Sequence, residues 1–300
     1  MLKVALSNKY AHTLPTGHRF PMEKYELLPG QLLYEGTLRK ENFFEPEPLD
    51  FRWILQIHDK AYVEKLINLA LSPSEIRKTG FPLSKELVER EIHIVGGSVE
   101  AALYALEYGI AMNIAGGTHH AFTDRGEGFC LLNDIAIAAN YLIQNGKARQ
   151  VLVVDLDVHQ GNGTAQIFCD ATQVFTLSMH GASNYPLHKE KSHLDIPLQD
   201  GIKDREYLTI LKDNLVSVVN RIKPDFIIFQ SGVDVLQTDK LGRLGLTLQG
   251  CKERDRVVLE LAFERKIPII CCMGGGYSTK ISTIIEAHAN TYRLAQEIFF

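Results

Sequence analysis

The sequence has few features of a secreted, membrane-spanning or nucleic-acid-binding protein. Its five cysteines are an odd number without CxxC spacing or disulfide-scaffold density, which predicts reduced, mostly buried thiols. No run approaches the ~20 apolar residues of a membrane span, and the N-terminal apolar stretch is too short for a signal peptide. The 32 basic and 36 acidic residues form no long run of either sign, which argues against nucleic-acid or anionic-membrane binding. We therefore expect a cytoplasmic protein with a small or locally recognised substrate.

What the sequence does contain is an alternation of apolar runs and helix-period segments. Its 300 residues, 45% of them hydrophobic, could form one large domain or two ordinary ones. The predicted strands are 3–7, 110–115, 151–155, 174–179, 226–230 and 267–272. The predicted helices are 58–71, 85–108, 134–144, 205–221, 249–264 and 278–298. This pattern favours an α/β fold with an open parallel sheet covered on both faces. Segments 44–48 and 72–74 are predicted loops too short to link two domains, so we expect a single domain over residues 1–300.

Polar residues follow the ends of five predicted strands, and parallel strands bring those ends to one edge of the sheet. These residues are His119 and His120, then Asp157 and His159, then His180, then Asp234, and finally Tyr277. Each one alone has an ordinary explanation as a helix cap, a turn residue or a buried histidine. Those explanations do not account for the occurrence of all these residues at successive strand ends.

Asp157 and His159 lie two residues apart, directly after a strongly apolar strand. If the extended conformation persists, both side chains leave on one face and can hold a divalent cation together. The sequence therefore predicts a metalloenzyme.

Segments 116–120, 124–130, 133–134, 155–163, 231–234 and 274–277 resemble, in order, the zinc-dependent histone deacetylase family. That family includes bacterial acetylpolyamine and acetoin-utilisation relatives and shares its fold with arginase. Segments 8–15, 159–163, 185–186 and 239–244 are most similar to class IV members and their bacterial counterparts. The resemblance implies the three-layer α/β/α arginase-deacetylase fold and hydrolysis of N-acyl groups from lysine side chains.

By that resemblance Asp157, His159 and Asp234 are metal ligands, a set that leaves positions for water and a substrate carbonyl. Zinc is expected, and ferrous iron would tolerate the same ligands. A second metal of the arginase type would need carboxylates where this sequence has Gly161 and Gly232. One metal and amide hydrolysis are therefore expected, rather than a two-manganese ureohydrolase. The resemblance further implies a potassium ion at Asp155, Asp157, His159, Ser178 and Met179.

The resemblance also assigns the catalytic roles. His120 would act as general base and then acid, His119 as electrostatic support, and Tyr277 as hydrogen-bond donor to the oxyanion. In the family the first histidine bonds an aspartate, here Asp155, and the partner of the second falls on Asn162. Because a carboxylate favours the imidazolium and an amide adds no charge, we expect His119 to be charged and His120 neutral near pH 7.

An acyl-lysine channel is implied around these residues. Gly128 and Phe129 match the tunnel aromatic and its neighbouring carbonyl, Tyr185 the opposite wall and Leu241 the rim, and Gly275 is a further substrate-binding position. Without the motif context, core packing would explain Phe129 and Leu241.

Two alternatives to an acyl-lysine hydrolase stay open. An acetylpolyamine amidohydrolase would use the same catalytic set behind an acidic, closed entrance, and Glu23, Glu26, Asp124 and Glu127 are its candidates. A non-catalytic reader is disfavoured because the catalytic set is intact. His180 is equally well explained by a pocket floor, a cation site or buried hydrogen bonding. The histidines without a motif partner are expected at the surface or at helix caps: His12, His18, His58, His93, His188, His193 and His288.

Overall fold

Eight strands form one sheet in which every neighbouring pair is parallel, and the computed structural model describes all of residues 1–300. They are β1 (Lys3–Ala5), β2 (Phe43–Phe44), β3 (Ile110–Asn113), β4 (Val151–Asp155), β5 (Val174–Gly181), β6 (Leu194–Leu198), β7 (Phe226–Gln230) and β8 (Ile269–Cys272). The order across the sheet is β2-β1-β3-β8-β7-β4-β5-β6. The four central strands β3, β8, β7 and β4 are buried along their whole length. The predicted parallel α/β class is confirmed.

Ten α-helices flank this sheet in a three-layer α/β/α arrangement. They are α1 (Lys24–Tyr34), α2 (Phe51–Ile54), α3 (Lys60–Ile67), α4 (Pro73–Thr79), α5 (Lys85–Tyr108), α6 (Asp134–Gln144), α7 (Asn162–Ile167), α8 (Asp204–Ile222), α9 (Leu248–Arg265) and α10 (Ile281–Phe299). Helix α5 packs on β1, β3 and β8 and against α6, while α9 packs between α8 and α10. None of the ten combines the length and apolar character that crossing a bilayer requires.

Local signals account for the elements whose bounds match the sequence prediction. Helix α5 begins where the Ser84 side chain accepts a hydrogen bond from the Leu87 amide, at 3.2 Å, and ends at Gly109 with φ +84°. Strands β4 and β7 also have the predicted bounds, because continuous apolar runs are typical of strands buried on both faces. Most other elements differ from the prediction at their ends; α3, for example, is six residues shorter than the predicted 58–71.

Two predicted loops are partly wrong. Residues 73–74 belong to helix α4, because Ser72 and Glu75 form a reciprocal capping box and Pro73 takes the first helical position. Phe44 belongs to β2, which pairs with β1. Helix α1 and edge strand β6 were not predicted: the first contains Pro29 and the second Pro197, and proline argues against both elements from sequence.

Candidate active site

The loop after β4 carries Asp157 and His159, and it is not a continuation of the strand. Strand β4 ends at Asp155, so the condition that the strand continues through His159 is not met. The Asp157 amide donates to Asp155 Oδ1 at 3.2 Å and the His159 amide to Asp157 Oδ1 at 3.0 Å. The two side chains converge nevertheless, with His159 Nδ1 at 3.0 Å from Asp157 Oδ1. Hydrogen bonds from backbone to carboxylate, rather than strand periodicity, bring them together.

Asp234, in the loop after β7, completes a buried three-residue cluster. Its Oδ2 lies 3.2 Å from His159 Nδ1, and one donor atom from each of Asp157, His159 and Asp234 lies within 4.8 Å of the others. Burial and the charge of Asp157 raise the pKa of Asp234 to about 7. Asp234 Oδ2 makes no hydrogen bond, which is uncommon for a buried oxygen. A divalent cation would satisfy that oxygen and relieve the repulsion between the carboxylates, so this donor set fits a catalytic metal.

Backbone amides orient the carboxylates of Asp157 and Asp234 through hydrogen bonds. Val158 N–H donates to Asp234 Oδ1 at 2.9 Å, and Gly275 N–H donates to Asp157 Oδ2 at 3.1 Å. A Cβ at Gly275 would stand 2.7 Å from Asp157 Oδ2 and closer still to Asp234. The glycine turn after β8 can approach the cluster this closely only because position 275 has no side chain.

Gly161 and Gly232 occupy the positions at which the sequence lacks a second set of carboxylates. A Cβ at Gly161 would overlap Asp155 Oδ2, and one at Gly232 would overlap Asp157 Oδ2. The surroundings have no room for an additional acidic side chain at either position.

His119 and His120 lie in the loop after β3, with ring centroids 4.1 Å apart. His119 Nδ1 is 2.7 Å from Asp155 Oδ2, and His120 Nδ1 is 2.6 Å from Asn162 Oδ1. All four side chains are buried. Two adjacent imidazoles therefore have partners of different charge, as the resemblance implied.

The pKa values of His119 and His120 are shifted in opposite directions. Burial disfavours the charged form of His119, but the carboxylates of Asp155 and Asp157 outweigh it and raise its pKa to about 9. Burial, followed by the charges of His119 and His159, lowers the pKa of His120 well below its usual value. Because an amide oxygen can only accept, His120 Nδ1 donates to it and Nε2 keeps the lone pair. His120 is thus a neutral base beside a charged neighbour.

Tyr277 follows β8 on the glycine-rich turn. Its backbone N–H donates to Asp239 Oδ2 at 2.6 Å. Burial, then the charges of Asp234 and Asp157, raise the pKa of its phenol well above the usual value. The hydroxyl therefore stays protonated and can donate a hydrogen bond at neutral pH.

A cavity of about 260 Å³ joins these groups. It is lined by Asp157, His159 and Asp234, which together we call the metal-type cluster. His119, His120 and Tyr277 also line it. All five residues predicted to bind substrate also line it, namely Gly128, Phe129, Tyr185, Leu241 and Gly275. The polar groups and the aromatic walls therefore line one cavity.

Phe129 forms one wall of this cavity. Its φ is +67°, a left-handed conformation that costs free energy in a non-glycine residue. Its amide donates to Thr79 O at 2.7 Å, and the ring packs against Phe81 with centroids 5.2 Å apart. A Cβ on the preceding Gly128 would stand 2.6 Å from His120 Cδ2. The loop at Gly128 therefore packs closely against the His120 ring.

Tyr185 and Leu241 form a more open part of the wall. Tyr185 packs edge-on against His120 at 5.0 Å and is 39% exposed. Its hydroxyl donates to Glu127 Oε2 at 2.6 Å. The Leu241 amide donates to Asp239 Oδ1 at 2.8 Å, so the carboxylate that holds Tyr277 also holds the rim.

Comparison with known proteins identifies the family of this chain. Residues 18–292 match the family model of the histone deacetylase domain. The chain belongs to the histone deacetylase family. Histone deacetylase 2 of Arabidopsis thaliana is 30% identical over 278 residues, which cover 89% of this chain and 72% of that protein. An uncharacterised protein of Picosynechococcus sp. is 42% identical over 97% of both chains. The crystal structure of a histone deacetylase homologue from Aquifex aeolicus has the same fold, with a TM-score of 0.83 at 24% identity over 98% of this chain and 84% of that one.

Some site features of this deacetylase family member were not predicted. His58 and His288 are buried rather than at the surface, and His58 accepts from the Asn133 amide at 2.9 Å. For His180, buried hydrogen bonding was one of the predicted explanations, and the residue is buried with its Nδ1 2.9 Å from Ser178 Oγ. Asp134 and Asp239 lie in the family-like segments 133–134 and 239–244, but the main-chain amides that they hold were not predicted. Lys24 and Arg254 lie outside those segments, and their contacts with distant main-chain carbonyls have no signal in a single sequence.

Proposed function

We propose that this protein hydrolyses acetyl or longer acyl groups from lysine side chains of proteins or peptides, with residues 1–300 acting as one catalytic domain. One observation supports this proposal above all others. A single cavity is lined by a metal-type ligand cluster, a neutral imidazole and a protonated phenol: Asp157, His159 and Asp234, His120, and Tyr277. This combination matches the needs of amide hydrolysis, a linear-amide amidohydrolase reaction.

Asp157, His159 and Asp234 would hold one zinc ion, or ferrous iron, which would tolerate the same ligands. When bound, the cation would polarise the amide carbonyl and lower the pKa of a water molecule. His120 Nε2 would accept the proton from the attacking water and return it to the leaving amine nitrogen. The charge of His119 and the Tyr277 hydroxyl would stabilise negative charge on the substrate carbonyl oxygen. A potassium ion is proposed beneath the site, near Asp155 and Ser178, which are paired in the sheet.

The charges at the entrance favour acyl-lysine over acetylpolyamine. Arg19 and Lys78 line the cavity, are exposed and form no ion pair. Glu23 and Glu26 do not line the cavity. Arg125 pairs with Asp124 at 2.9 Å and with Glu127 at 2.8 Å, so the four acidic candidates do not form a free anionic entrance. A polycationic substrate would meet like charges at Arg19 and Lys78.

The decisive assay compares an acetyl-lysine peptide with acetylputrescine and acetylspermidine at one metal loading. We expect the peptide to have the higher kcat/KM, and acidic residues flanking the lysine to raise it relative to basic ones. In the double variant Arg19→Ala, Lys78→Ala the flanking preference should fall. Faster turnover of acetylspermidine by the wild type would favour the polyamine alternative. No turnover of any acylated amine by metal-loaded protein would contradict the proposed function.

An acyl-length series belongs in the same assay. Phe20, Ile94 and Phe129 give the cavity an apolar lining that would accept a chain longer than acetyl. Equal or higher kcat/KM for longer acyl groups would assign the apolar lining to acyl binding, and a steep loss beyond acetyl would exclude that assignment.

A further inference from the structure

Arg254, on helix α9, lies fully buried beneath the metal-type cluster. Its guanidinium donates to three main-chain carbonyls. Nη1 donates to Leu156 O at 3.2 Å and also to Gly232 O, and Nη2 donates to Ser231 O at 3.1 Å. One side chain therefore bridges the loops that follow β4 and β7.

Those carbonyls belong to the residues that lead into the ligands. Leu156 directly precedes Asp157, and Ser231 and Gly232 come three and two residues before Asp234. Because the peptide unit is planar, holding a carbonyl also sets the orientation of the amide that follows it. The hydrogen bonds of Arg254 thus constrain how both ligand-bearing loops turn.

The buried charge of Arg254 is compensated within the helix layer. Asp255 Oδ1 accepts from Arg254 Nε at 2.8 Å and lies 2.7 Å from Nη2. Thr291 on α10 donates to Asp255 Oδ2 at 2.7 Å. A planar guanidinium can make all these bonds together, whereas the ammonium of lysine has fewer donors and no rigid fork. The geometry requires arginine.

We propose that Arg254 is a positioning residue that holds the Asp157 and Asp234 loops at the separation a divalent cation requires. The proposal rests on the metal site of the proposed function. A purely electrostatic role would have the opposite sign, because a positive charge near the site weakens cation binding. Removing that charge strengthens binding if electrostatics dominates and weakens it if positioning dominates.

The test compares Arg254→Met and Arg254→Lys with wild type and with the control Arg256→Met. Arg256 lies on the same helix and pairs with Glu260 and Glu297 at the surface. Zn²⁺ affinity by chelator competition and the absorption spectrum of the Co²⁺-loaded protein are measured, with circular dichroism to verify folding. We expect both Arg254 variants to bind Zn²⁺ about 10–100-fold more weakly and to alter the Co²⁺ spectrum, since outer-shell changes have effects of that size. Arg256→Met should match wild type.

Wild-type or tighter Zn²⁺ binding by a folded Arg254→Met protein would overturn the proposal. If neither Arg254 variant folds, Thr291→Val decides, because it removes only one hydrogen bond to Asp255; several-fold weaker binding is expected, and unchanged affinity overturns the proposal. A wild-type protein that binds neither Zn²⁺ nor Co²⁺ would contradict the proposed function itself, so the two failures are distinguishable.

Discussion

The floor and the rim of the cavity are built in different ways. On the floor, Asp157, His159 and Asp234 are each at most 8% exposed, and hydrogen bonds from the backbone aim both carboxylates. At the rim, Tyr185 is 39% exposed, and its hydroxyl contacts one half-buried carboxylate, Glu127. Buried hydrogen bonds are costly to break, whereas exposed ones contribute little. The comparison indicates that the floor is more firmly organised than the rim.

The largest expected effect comes from removing a floor ligand. In Asp234→Ala we expect loss of bound metal and a fall in turnover greater than the ~10–100-fold that outer-shell changes cause. Metal content by mass spectrometry and kcat/KM on an acetyl-lysine peptide check this. Asp225→Ala, at the opposite end of β7, is the matched control and should retain both. Normal metal content in Asp234→Ala would contradict the assignment.

The next largest effect is expected at the oxyanion donor. Tyr277→Phe should lower kcat by ~10²–10³-fold, the usual effect of losing one such donor, while metal content stays at the wild-type level. Tyr34→Phe, at a 94% exposed tyrosine, should change neither. Wild-type kcat in Tyr277→Phe would remove the hydroxyl from the mechanism.

An intermediate effect is expected from giving both histidines a carboxylate partner. In Asn162→Asp the new charge should raise the pKa of His120, because an opposite charge stabilises the imidazolium. His120 would then become protonated at higher pH than in wild type, so turnover should begin to fall at a higher pH as the buffer is made more acidic. The acidic limb of kcat/KM against pH measures this. Asn140→Asp, in α6, should leave the limb in place, and an unshifted limb in Asn162→Asp would mean that His120 is not the base.

The smallest effect is expected at the rim. Tyr185→Phe removes the hydrogen bond to Glu127 but keeps the ring against His120, so kcat/KM should change by no more than ~3-fold, in line with the small contribution of exposed polar contacts. Steady-state kinetics on peptides with different flanking residues would detect it. A loss as large as that in Tyr277→Phe would show that the rim is as strictly organised as the floor.

The same contrast explains how much could be predicted from sequence. Helix α5 and strands β4 and β7 were predicted with their observed bounds because caps and apolar runs are local signals. Helix α1 and strand β6 were missed because Pro29 and Pro197 contradict such signals, and tertiary packing overrides them.

Motifs in the sequence identified the site residues. They did not identify the residues that position the site. Arg254 acts on carbonyls 22 to 98 positions away, and a single sequence contains no trace of where a carbonyl points. The convergence of Asp157 and His159 likewise depends on hydrogen bonds in a loop, and the expected strand periodicity gave a wrong reason for a contact that exists.

We propose that one divalent cation on the floor makes this cavity a deacylase. The most direct test titrates metal-free protein with Zn²⁺ while following turnover of an acetyl-lysine peptide. We expect turnover to rise to a plateau at one ion per chain and Asp234→Ala to show no such rise. Full turnover by metal-free protein, or a saturated site without any turnover, would contradict it.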